Sequence, residues 1–148
     1  MKYELTGETK IVNGITLHRI RRIHDARRGG WLQGEHNLSQ HGTCWVGDNA
    51  HVSGSAYIHD NARVSGNARV RGNAQVGKDA HIFGNAHVGD NAHVSGKAQI
   101  YGDANVREDA YVGGNARVCH DAYVCGNAHV SGHAHVSVRV PGGYRFMR

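Results

Sequence analysis

The sequence predicts an all-β solenoid, and three observations carry that prediction. From Ala50 to Ala134 an alanine falls at every sixth position, fifteen times without a miss. Two residues after each stands Val, or Ile at Ile58, Ile82 and Ile100, as far as Val136. The gaps are rich in Gly, Asn, Asp and Ser. So short a period held for so long is the signature of stacked repeats.

Alternate side chains of a strand share a face. Ala and the Val two places on therefore point the same way, and the polar residue between them points out. A helix is excluded, because apolar residues spaced two and then four apart hold no single stripe at a 3.6 period. Gly and Asn tolerate the left-handed backbone that sharp corners require. Each hexad thus reads as a short strand and a corner, around an interior only wide enough for Ala, Val and Ile. Burying each Val contributes about 1.5–3 kcal/mol, enough over fifteen positions to support a narrow core.

The hexad Val94-Ser95-Gly96-Lys97-Ala98-Gln99 resembles the hexapeptide repeat of left-handed β-helix proteins, the trimeric LpxA-like superfamily. The resemblance implies a single-stranded left-handed parallel β-helix with three hexads to each triangular coil. The hand comes from the resemblance alone, since crossover statistics favour a right-handed path. At 18 residues per coil, residues 44–136 give about five coils, roughly 25 Å tall at the usual strand spacing.

Residues 1–43 do not repeat and form a small N-terminal β cap. Two apolar runs flank Asn13-Gly14, the strongest short hairpin signal. Arg19, Arg21, Arg22, Arg27 and Arg28 follow with Ile20 and Ile23 among them, and then Gly29-Gly30-Trp31, read as a turn delivering Trp31 as the plug of the open coil. Gly29-Gly30-Trp31, Asn37-Leu38-Ser39-Gln40 and Gly42-Thr43-Cys44-Trp45-Val46 are similar to the leading segment of YdcK-type proteins. Those are bacterial β-helix proteins named acetyltransferases by fold. Cys44 and Val46 read as one more unit, imperfect at the small position. Residues 137–148 form a short C-terminal cap, in which Tyr144, Phe146 and Met147 fold back over the last coil.

No apolar run reaches membrane-spanning length, and Met1-Lys2-Tyr3-Glu4 lacks the apolar core of a signal peptide. Three cysteines, an odd number, suit a reducing compartment, so a cytoplasmic location is expected. Residues 1–43 carry seven Lys or Arg against four acids, residues 44–136 seven against eight, and residues 137–148 three Arg and no acid. Basic ends suit an acidic partner or nucleic acid. The simpler reading, charge that keeps exposed strand edges apart, is preferred.

Stacking at 18 residues turns the sequence into ladders. The first face carries His51, Arg69, His87, Asn105 and Tyr123, flanked by Ser53, Arg71, Gly89, Arg107 and Cys125. Arg69, Arg71, His87 and Arg107 form a candidate anion or cofactor site, with Asp90 and Glu108 beside it to offset the charge. The second face carries Arg63, His81, Gln99, Arg117 and His135; alongside, Phe83, Tyr101 and Cys119 fall on successive coils as a candidate interface. The third carries Tyr57, Gln75, His93, Tyr111 and His129, with small neighbours that would admit another surface. Thirteen histidines raise metal binding, but none stacks on another within the repeat, and no metal site is expected.

The resemblance implies acyl transfer from acetyl-CoA, with a histidine base, between subunits of a trimer. Such enzymes extrude a loop from a coil, whereas here fifteen hexads pass without insertion, and no residue matches their catalytic histidine. Fold alone does not establish function. A rigid scaffold that self-associates, as a trimer by resemblance or as a dimer, and binds a macromolecular partner, a protein before a nucleic acid, as an inhibitor or a structural component, is therefore favoured over an acyltransferase. Basic ends disfavour DNA mimicry, and a repeat without threonine disfavours ice binding.

Overall fold

The computed structural model describes residues 1–140 and the backbone of 145–147. After a hairpin, the chain winds as short strands, most of two residues, into three parallel stacks, two of them six strands deep, making about six coils. Val46, Val64, Ile82, Ile100, Val118 and Val136 stand above one another at 18-residue spacing. Every repeat alanine and its Val or Ile is buried. Main-chain bonds such as Arg63 N–H to Ala80 O and Ser65 N–H to Ile82 O, both 2.9 Å, join each coil to the next.

The corners explain the gaps. Two residues before each small residue, from Gly42 to Gly132, φ lies between 54° and 71° at every sixth position. Glycine fills most of these corners, because only it adopts that conformation without cost. At Asp48, Asp60, Asp90 and Glu108 the carboxylate compensates: it accepts the N–H of the corner residue one coil on, each at 3.0 Å.

The stack is longer than five coils because it starts before Cys44. Leu32 pairs with Val52 and Leu38 with Ile58, a 20-residue first coil. At the other end Val140 pairs with Val124 at 16. Arg145–Met147 pairs alongside His129–Ser131, so this backbone continues the coil instead of folding back over it. The expected cap residue Tyr144 lies outside the described residues.

The N-terminal cap is built from β1 (Tyr3–Val12), β2 (Ile15–Arg22) and β3 (Arg28–Leu32). Asn13 and Gly14, both at positive φ, make the tight turn between β1 and β2. Gly29 and Gly30 are not a turn but part of β3, pressed against the first coil. A Cβ on Gly29 would lie 2.6 Å from Ile20 and 2.7 Å from Trp45, and one on Gly30 2.7 Å from the Ala50 carbonyl. Trp31 is not the plug either. It pairs with His51, an outward position, and is held between Lys10 and Arg19, each 4.4 Å from its ring. The plug is Leu32, Leu38, Ile20 and Tyr3, all in the core cluster.

Candidate functional site: the faces of the prism

Asn37-Leu38-Ser39-Gln40 closes the top of the coil. Buried Asn37 donates Nδ2–H to Ala56 O at 2.9 Å and Gly54 O at 3.2 Å, replacing strand bonds that no earlier coil can make. Gln40 Oε1 accepts the Lys2 and Tyr3 N–H groups at 2.8 and 3.1 Å. Tyr3 donates its hydroxyl to Leu38 O at 2.6 Å, and burial, followed by the charge of Glu35, raises that phenol well above its usual range. Ser39 stands beside His59, since Ser39 N–H bonds Ile58 O.

On the first face Arg69, His87 and Asn105 stack as expected. Burial lowers the His87 pKa, and Arg69, Arg71 and Arg107 lower it further. Asp90 lies 3.8 Å from Arg107. The hairpin folds down over this face, a placement that no repeat or motif encodes. Its residues Val12, Ile15 and Leu17 line a cleft with His51, Arg69 and Arg71. Burial, then Lys10 and Arg69, hold His51 down to a pKa of about 4.

On the second face the rings of Phe83 and Tyr101 lie parallel, 4.9 Å apart, and His81 packs on Phe83 at 4.5 Å. Cys119 continues the row but offers no surface: it is fully buried. His120 Nδ1 and His135 Nε2 stand 3.0 and 3.1 Å from its Sγ and cover it. None of the three cysteines is in a disulfide, and all are buried.

The third face is closed to close approach by its own side chains. The His59 ring covers Gly77, where a Cβ would meet it at 2.4 Å, and Tyr111 covers Gly113 at 2.7 Å. His93, Tyr111 and His129 form an aromatic column. Among the described residues no three His, Cys, Asp or Glu are placed to hold a metal ion, and no helix is long and apolar enough to cross a membrane.

The family model of the YdcK beta solenoid repeat matches residues 62–78. The chain is similar to YdcK solenoids. The matched stretch, with Arg63, Arg69 and Gln75 as its outward residues, is about one turn of the prism, and the stacked coils around it fit a YdcK-like hexapeptide-repeat solenoid. No curated protein matches the chain.

Proposed function

We propose that this protein is a rigid scaffold that self-associates and engages a protein partner through its second face. The observation that carries the reading is the parallel Phe83–Tyr101 pair, half-buried on a flat face of two-residue strands. Aromatic groups in contact surfaces supply large area at little conformational cost. The hexads run from Cys44 to Val136 at constant 18-residue pairing, which favours a presented surface over a pocket built by an extruded loop. Resemblance favours a trimer.

Sedimentation equilibrium tests this reading. A multiple of the 16.0 kDa chain mass, falling to one chain in F83S/Y101S, supports it; a wild-type protein that sediments as one chain retires self-association. Acetyl-CoA separates the acyltransferase reading. An enzyme of that kind gains melting temperature by mass action at about 1 mM ligand, and the scaffold gains none.

A further inference from the structure

Where the N-terminal cap meets the second face, a cavity of about 290 Å³ is lined by Arg22, Arg27, Trp45, Arg63, Ser65 and His81. Trp45, Arg63 and His81 occupy the same outward slot on three successive coils, and the arginines of the cap close over them. Neither the repeat nor the cap alone makes this cavity.

Its charge is not spent internally. Arg22 is engaged, with Nη2 2.5 Å from Asp25 Oδ2 and its guanidinium 5.7 Å from the Trp45 ring centre, so it forms a fixed wall. Arg27 and Arg63 have no carboxylate partner among the described residues. The acid at the rim, Asp48, already accepts Gly66 N–H at 3.0 Å. Ser65 adds a hydroxyl, 3.4 Å from His81 Nε2. Burial and then Arg63 lower the His81 pKa, as expected for a ring beside unneutralised positive charge. Trp45 Nε1 is buried without an acceptor, a donor left unpaired at a cost. Trp31 Nε1 shares that lack, but Trp31 does not line the cavity.

We infer that this cavity binds a small phosphate monoester, the phosphate held between Arg27 and Arg63 and the organic group lying against Trp45. Two guanidinium forks beside a hydroxyl match phosphate oxygens bidentately. The volume exceeds that of a bare phosphate, and the Trp45 ring supplies apolar contact for the remainder. This site adjoins the Phe83–Tyr101 surface through His81, which lines the cavity and packs on Phe83; sedimentation tests the scaffold reading and ligand titration tests this one, so the failure of either is distinguishable from the failure of the other.

The test is titration calorimetry with phenyl phosphate at constant ionic strength. Arg63→Gln removes the clamp at little structural cost, because Gln75 and Gln99 hold the same outward position on other coils. Arg117→Gln makes the same charge change in the same column, outside the cavity. The expected result is saturable binding with Kd below about 1 mM, weakened about tenfold by R63Q and unchanged by R117Q. R27Q, on the loop between β2 and β3, gives a second reading that does not depend on the coil. Absence of saturable binding to the wild type overturns the inference. So does equal weakening by R63Q and R117Q, or binding untouched by both R63Q and R27Q.

Discussion

Asn91 donates Nδ2–H to Asp109 Oδ1 at 3.2 Å, and itself accepts from Asn73 at 3.2 Å. The ladder therefore runs one way and ends on a residue that only accepts. Asn67, Asn85 and Asp103 repeat the arrangement at another corner, as do Thr43, Asn61 and Asp79. Replacing Asn91 by Asp removes a donor and sets two carboxylates side by side. N91D should lose about 1 kcal/mol at pH 7. Paired carboxylates have raised pKa values, so the deficit should shrink below about pH 4. Urea melts of both proteins at the two pH values check it.

The corner at Lys78 offers the opposite outcome. Its φ is +54°, a conformation costing an ordinary side chain about 1–2 kcal/mol. No bond from its side chain compensates, unlike Asp90, whose carboxylate accepts Glu108 N–H. Lys78→Gly should therefore stabilise by about 0.5–1 kcal/mol, after the entropy cost of glycine is deducted. Asp90→Gly should show no gain, because it relieves strain and loses a bond together. Equal gains from both would refute the compensation seen at the acidic corners.

How far the sequence reveals the molecule depends on what a six-residue period can encode. It specifies the interior, because each position is filled by one small or branched side chain and read by local alternation. It identifies the ladders in the body for the same reason. It does not reveal where the hairpin goes. Lys10 and Arg19 clasp Trp31 through contacts set by tertiary packing, and Leu32 and Leu38 enter the core at 20-residue spacing, off the period. Cys119 reads as exposed by slot, yet neighbouring imidazoles bury it. The basic cavity is not legible in the sequence, because Arg22 and Arg27 belong to the cap, whose placement no period gives.

The hairpin's place on the first face has a pH signature. His51 carries a pKa of about 4, held down by burial and by Lys10 and Arg69, against an unfolded value near 6.5. Below that value the unfolded chain binds the extra proton, so stability is full above about pH 6.5, falls with falling pH, and levels off near pH 4. The loss is on the order of 1 kcal/mol once solvent screening is allowed for. Burial also lowers His81 and His87, adding in the same direction. His51→Asn, a residue the first face accepts at Asn105, should flatten the curve between pH 6.5 and 4. Thermal melts across that range decide it; an unchanged slope would place the hairpin elsewhere.

The aromatic pair contributes to stability apart from any partner. Stacking of Phe83 on Tyr101 is worth about 0.5–1.5 kcal/mol beyond buried area. Phe83→Ser should cost roughly that much plus the lost contact with His81. In a double-mutant cycle with Tyr101→Ser, the coupling should be positive, measured by urea unfolding below the concentration at which chains associate.

Every ladder and surface rests on alanines lining the inside of the prism while their neighbours face out. The most direct test is a pair of adjacent substitutions, Ala92→Leu and His93→Leu, compared by urea denaturation. Ala92 is 1% exposed, and a leucine there has no room, so A92L should lose about 3 kcal/mol or fail to fold. H93L, on the outward side of the same strand, should stay within about 0.5 kcal/mol of the wild type. Equal effects, or a larger loss from H93L, would contradict the architecture.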